Sequence, residues 1–196
     1  DAGVVSYEAF VFESEDFYAE WKHVERLKAH LEGLDAVAVA VGSGVINDTV
    51  KYVSYLLGRR YMCVGTAASM DGFTAYGSSI TKDGNKQTFD CPAPLGFVLD
   101  SAIAAQAPKE LAASGYADLI AKIPAGADWM IADAVGSEKI DEFAWGLVQD
   151  SLKDALADPA AILAGDVEKP QALADGLLMS GFAMQAIQSS RPASDA

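Results

Sequence analysis

The stretch Val37-Ala-Val-Ala-Val-Gly-Ser-Gly-Val-Ile-Asn-Asp-Thr-Val-Lys51 decides the fold. Its first five residues form an unbroken run of alanine and β-branched side chains, without the apolar/polar alternation of a half-exposed strand. That predicts a strand covered on both faces and therefore a parallel sheet. Gly42-Ser43-Gly44 ends the run, and a helix is predicted from about Val45 to Leu57 with Gly58 at its end. Tyr61 to Val64 reads as a second buried strand, so strand, helix and strand make one crossover unit.

Upstream, the short apolar stretch Ala9 to Phe12 precedes Ser14, a candidate N-cap with Glu15 and Asp16 in the first turn. Phe17, Trp21, Val24, Leu27 and Leu31 then recur at helical spacing up to Gly33. Downstream, Tyr76 to Lys82 and Lys86 to Phe89 flank Asp83-Gly84-Asn85 as a hairpin, and Gly96 to Leu99 reads as a further strand. From Ser101 onward the β-branched runs disappear, alanine becomes abundant, and Leu147-Val148, Leu152 and Leu156 fall into helical spacing. Leu173, Leu177, Leu178 and Phe182, with Gly181, Ala183 and Ala186 between them, predict a closely packed core helix ending near Gln188. A boundary near residue 103 separates an α/β part, 1–103, from an all-α part, 104–196.

The chain has 196 residues, 51% of them hydrophobic, which excludes a disordered tail and a miniprotein. Its net charge of −14 repels a phosphate backbone over the whole surface and argues against nucleic-acid or anionic-membrane binding. An anionic ligand must find a local positive field. Cys63 and Cys91 are too few for a disulfide framework and do not have metal-ligand spacing, so a reducing cytoplasm is expected. No apolar run approaches the roughly 18 to 20 residues of a membrane span, and Asp1 to Glu8 has no signal-peptide core. The expected protein is soluble, not inserted in a membrane and not exported, or its start is missing.

Gly42-Ser43-Gly44 leads from a strand into a helix N-terminus, where unpaired N–H groups and a partial positive charge supply such a field and glycine permits close approach of a pyrophosphate. A tight turn without a ligand explains the same three residues. Asp48 and Lys51, one turn on, read as a solvated helix face. The loop Thr66-Ala67-Ala68-Ser69-Met70-Asp71-Gly72 leaves the next strand on the same edge, and two such loops make a crevice. Its hydroxyls and carboxylate suit a nucleotide and an alcohol, or simply a turn capped by Asp71. His23 and His30 lie on the first helix beside its apolar stripe and read as surface or packing residues. Asp118 reads as a helix-face acid. No zincin, paired Cys-x-x-Cys, P-loop or nucleophile-elbow motif occurs.

At these residues the sequence resembles the iron-containing alcohol dehydrogenase and glycerol dehydrogenase superfamily, and within it is similar to the bacterial-type sn-glycerol-1-phosphate dehydrogenases. The matching motifs are AVGSGVINDTVKYVSY from Ala40, TAASMDGF from Thr66, GNKQTF, VLDSAI, QAPKELAASGYADLIAK, ADWMIAD and MSGFAMQAIQSSRPAS. Ala75 departs from a serine of the family pattern, Ala117 from a glycine, and Gly65 from a proline.

The resemblance implies an incomplete Rossmann-like parallel-sheet domain followed by part of a helical domain of the dehydroquinate-synthase-like kind. It implies hydride transfer between NAD or NADP and glycerol 1-phosphate or dihydroxyacetone phosphate, assisted by zinc or nickel. Gly42, Ser43, Gly44, Val45, Ile46, Asp48, Thr66 and Ser69 would hold the cofactor, and Asp71 the substrate. Asp118 would be the catalytic metal ligand, close enough to touch substrate. The family's first strand would precede Asp1 and its two metal-binding histidines would follow Ala196, so the chain reads as a middle fragment, inactive alone, of an enzyme expected to be a homo-oligomer. The rival expectations are a polyol dehydrogenase of the same superfamily and a non-catalytic binding module.

Overall fold

The computed structural model describes residues 3, 6–12, 17–164 and 168–193. Strand β1 (Ala38–Gly42), helix α2 (Gly44–Leu56) and strand β2 (Tyr61–Gly65) form the predicted crossover, preceded by α1 (Trp21–Glu32). Strands β3 (Ser78–Lys82) and β4 (Asn85–Phe89) make an antiparallel hairpin, and β5 (Gly96–Leu99) closes the first part. The parallel sheet has the order β1-β2-β5, with Gly42 beside Gly65 and Gly65 beside Leu99 at its carboxyl edge. Helices α3 (Ser101–Ala104), α4 (Lys109–Ala134), α5 (Glu142–Ala155), α6 (Pro159–Ala164) and α7 (Glu168–Ile187) follow. The architecture is α/β and then all-α, as the residue pattern predicts.

Local chemistry accounts for the elements. The hairpin turns on Asp83 and Gly84, both at positive φ (52° and 76°), the geometry whose twist matches paired strands. Asp100 caps α3 by accepting from the Ala102 and Ile103 N–H groups, and Asp141 caps α5 by accepting from Ala144. Helix α7 ends at Gln188, in the left-handed region at φ 53°. One core joins α1, α2 and the sheet through Val24, Leu27, Val53, Tyr61 and Ile80; a second joins the helices through Leu119, Trp129, Val148, Leu173 and Leu177. Among the described residues no helix is long and apolar enough to cross a membrane.

Three expectations are corrected. The first helix begins at Trp21, so Phe17 precedes it: the Thr81 N–H donates to the Ala19 carbonyl at 2.7 Å and Glu20 bridges Thr81, holding residues 19–20 extended along β3. The proposed cap at Ser14 to Asp16 lies outside the described residues. Second, among the described residues the sheet is covered on one face only. Ala40, Tyr61 and Cys63 are buried towards α2, whereas Val39 and Val41 are 53% and 60% exposed, with Met62 and Val98 exposed on the same face. A run of β-branched residues records a strand's preference for burial but cannot supply the second layer of helices. Third, Phe182 is exposed. At about 100° per residue it lies roughly 180° around α7 from Leu173, so the two cannot share a core face.

Candidate active site

The Thr66 N–H donates to the Gly42 carbonyl at 3.1 Å, which ties together the two loops leaving the carboxyl ends of β1 and β2. Gly42, Ser43, Gly44, Val45 and Ile46, with Thr66 and Ser69, are all partly open to solvent along this crevice. Ser43 is the N-cap of α2, yet its side chain makes no cap hydrogen bond. Among the described residues no side chain caps the first-turn N–H groups of α2, which leaves them available to an anion. The glycines also have local reasons. A Cβ on Gly42 (φ 156°) would lie 2.8 Å from Ile46 Cγ1, and one on Gly44 2.4 Å from Met70 Sδ, so Gly44 is the seat of the Met70 side chain.

The site corrects the reading of Asp48 and Lys51, which are buried rather than solvated. Lys51 Nζ donates to the carbonyls of Gly72, Ala75 and Gly77 at 2.7, 2.9 and 3.0 Å. Asn47 Nδ2 donates to Gly72 O at 3.3 Å, and its Oδ1 accepts from the Tyr61 hydroxyl at 2.9 Å. The same helix whose N-terminus faces the crevice thus holds the loop that carries Asp71. Burial pulls Lys51 below the ordinary lysine range, with Asp48 opposing. Burial pushes the Asp48 carboxyl up to about 6 against Lys51 and the Ser79 N–H. The Cys63 thiol, pushed up to about 12 by burial, and the buried Cys91 are protonated and offer no nucleophile.

Helices α4 and α7 close on the same loop by backbone contact. A Cβ on Gly115 would lie 2.1 Å from the Ala68 carbonyl oxygen, and one on Gly181 2.4 Å from the Asp71 carbonyl oxygen. This approach brings the two carboxylates named by the resemblance together. The Asp71 N–H donates to Asp118 Oδ2 at 2.7 Å across 47 residues. Between them stands Lys122, whose Nζ is 2.7 Å from Asp71 Oδ2 and 2.9 Å from Asp118 Oδ1. Ser180 Oγ donates to Asp71 Oδ2 at 2.8 Å. Burial raises the Asp71 carboxyl, with Lys122 opposing and Asp118 reinforcing the rise. Burial alone would lower Lys122, but Asp71 and Asp118 outweigh it and hold the ammonium charged.

Asp118 is thus part of an ion-paired cluster rather than an ordinary helix-face acid. Residues 71, 118 and the Gly42 loop converge; His23 and His30 stay apart, packed against Phe12 and Phe17 and against Phe10. Lys122, Ser180 and Lys51 lie within the matching motifs, but the sequence assigns them no role at the site. Only the i,i+4 spacing of Asp118 and Lys122 hinted at one of them. Ala75 is buried against Met184 and Ala193, and neighbouring Thr74 spends its hydroxyl on the Leu178 carbonyl, so Thr74 does not stand in for the family serine. Ala117 is exposed and needs no glycine. Among the described residues no three His, Cys, Asp or Glu side chains are placed to hold a metal, and Asp118 alone does not make such a site.

This crevice lies on the carboxyl edge of a parallel sheet that leads into a helical half, the edge at which open α/β sheets bind ligands. A family model described as iron-containing alcohol dehydrogenase matches residues 4–108, and the chain belongs to that family. Among its relatives, glycerol-1-phosphate dehydrogenase [NAD(P)+] of Bacillus velezensis is 35% identical over 158 residues, covering 81% of this chain and 40% of the relative. The protein of the same name from Methanocorpusculum labreanum is 37% identical over 178 residues, covering 90% and 49%. The chain spans less than half the length of these curated relatives. In structure it is similar to a probable glycerol dehydrogenase from Sinorhizobium meliloti (TM-score 0.73, 20% identity, 86% of this chain and 51% of that one). It is also similar to an iron-containing alcohol dehydrogenase from Thermotoga maritima (TM-score 0.71, 16% identity, 92% and 53%).

Proposed function

We propose that this chain carries the cofactor-binding and substrate-binding half of an NAD(P)-dependent sn-glycerol-1-phosphate dehydrogenase, with the nucleotide part over 1–103 and the helical part over 104–196. The observation that carries the reading is the meeting of Asp71 and Asp118, at 2.7 Å from N–H to carboxylate, beside the uncapped N-terminus of α2. The names of the relatives supply the substrate.

A nicotinamide dinucleotide, when bound, accepts or returns the hydride of the substrate's carbinol carbon. The N–H groups of Gly44, Val45 and Ile46 would hold its pyrophosphate, with Gly42, Ser43, Thr66 and Ser69 along the crevice. Asp48, its carboxylate turned to Asn47 and Ser79, acts by fixing α2. Asp71 accepts a hydrogen bond from a substrate hydroxyl, and the packed loop around it keeps water from the reacting carbon. In the complete enzyme Asp118 would be this chain's ligand to a zinc or nickel ion, which would polarise the substrate oxygen.

The test is turnover of dihydroxyacetone phosphate with NADH or NADPH, and of glycerol 1-phosphate with the oxidised forms, by the full natural reading frame that contains this chain. Phosphorylated substrate is expected to exceed glycerol in kcat/KM. Two carboxylates against one ammonium leave the cluster net negative and favour an uncharged polyol, so glycerol is the second arm. Preference for glycerol would assign a polyol dehydrogenase instead. The 196-residue chain alone is expected to turn over neither.

A further inference from the structure

We infer that Lys122 and Ser180 are positioning residues for the substrate, which together dedicate one oxygen of Asp71 to the protein and leave the other for the substrate hydroxyl. The inference rests on the dehydrogenase reading and on the placement of four side chains. Asp71 Oδ2 receives both Lys122 Nζ, at 2.7 Å, and the Ser180 hydroxyl, at 2.8 Å. Among the described residues nothing donates to Oδ1. A carboxylate free to rotate would present either oxygen at any angle, whereas one pinned through Oδ2 presents Oδ1 in a single direction.

Lys122 can do this because it is itself held. Its side chain is 3% exposed and comes from α4, its ammonium bonds Asp118 Oδ1 at 2.9 Å, and Asp118 Oδ2 in turn accepts the Asp71 N–H. The cycle from Asp71 N–H to Asp118, to Lys122 and back to the Asp71 carboxylate fixes main chain and side chain of one residue at once. Ser180 is fully buried on α7 and next to Gly181, whose missing Cβ lets the helix backbone reach the loop. Two helices from the all-α part therefore aim a carboxylate that belongs to the α/β part. Neither Lys122 nor Ser180 need touch the cofactor, and this separates a positioning role from a general effect on the fold.

The experiment compares wild type, Lys122→Met, Lys122→Arg and Ser180→Ala in the full reading frame, measuring substrate KM and kcat, NADH affinity by fluorescence, and melting temperature. Lys122→Met is expected to lower kcat/KM for the polyol substrate by about 100-fold or more while NADH affinity changes by less than about threefold. Lys122→Arg, which keeps a donor to both carboxylates, is expected to recover part of that loss. Ser180→Ala, a small change that preserves the fold, is expected to raise KM by about 5- to 20-fold with NADH affinity unchanged. Should Lys122→Met not fold, Ser180→Ala decides alone. An active wild type together with unchanged KM and kcat in Ser180→Ala overturns the inference and leaves the dehydrogenase reading standing. Equal losses of substrate and NADH affinity overturn it in the same way. A wild type without turnover of any polyol or polyol phosphate overturns both.

Discussion

Gly181→Ala is the sharpest test of how α7 seats the loop that carries Asp71. A Cβ at this position would lie 2.1 Å from Thr74 Oγ1, 2.4 Å from the Asp71 carbonyl oxygen and 3.0 Å from the Ala75 nitrogen. Two of those three atoms are backbone, so no rotamer change clears the clash. In an unconstrained helix interior alanine is favoured over glycine by about 1 kcal/mol. Overpacking against atoms that cannot move costs about 1 to 3 kcal/mol and sometimes more. With three atoms at 3.0 Å or less the cost falls at the upper end of that range, and the net expectation is a loss of up to about 2 kcal/mol, or up to about 4 to 8 °C in Tm for a chain of this size. Gly146→Ala on α5 provides the opposite sign, because its Cβ would meet nothing nearer than Asp150 Oδ2 at 3.8 Å. That variant should gain about 1 kcal/mol. Urea and thermal unfolding of the two variants beside the parent chain give the comparison. A Gly181→Ala protein as stable as Gly146→Ala would refute the claim that helix and loop touch there through backbone.

Three further outcomes are expected. Burial lifts Asp48 to about 6, so the native state binds this proton more tightly than the unfolded chain does: its contribution to stability is present below the unfolded value near 3.9 and lost as pH rises through 6, a change of about 3 kcal/mol. Asp48→Asn should flatten that decline in urea midpoints between pH 4 and 7, and an undiminished slope would show that the proton is not bound at Asp48. Lys51→Met strands three loop carbonyls and is expected to cost about 3 kcal/mol and to open the 71–77 loop to limited proteolysis; loop cleavage no faster than in the parent would contradict the anchoring role. Asp71→Asn in the full reading frame should reduce kcat/KM by about 100-fold or more without weakening NADH binding, and a parallel loss of both would make Asp71 a residue of the fold instead.

Much of the architecture was legible because it is written in local chemistry. The Val37 run, the Gly42-Ser43-Gly44 break and the Asp83-Gly84 turn each act through their own backbone preferences, and the structure follows them. What could not be read depends on partners distant in sequence. The first helix starts late because β3, some 60 residues downstream, captures residues 19–20. Lys51 looks like a surface lysine until the 72–77 carbonyls arrive to bond it. Asp71 and Asp118 were named by resemblance, but their contact and the ammonium between them require the close approach that Gly115 and Gly181 allow. Glycines in the two helices were the visible trace of that approach, and their target was not visible.

The central claim is that the crevice at the carboxyl ends of β1 and β2 is the nucleotide site. A crystal structure of the full reading frame with NADH tests it most directly. The account predicts the pyrophosphate within hydrogen-bond distance of the Gly44, Val45 and Ile46 N–H groups, with the nicotinamide end directed towards Asp71 and Asp118. A dinucleotide bound at the opposite edge of the sheet, or with its pyrophosphate away from the start of α2, would contradict it.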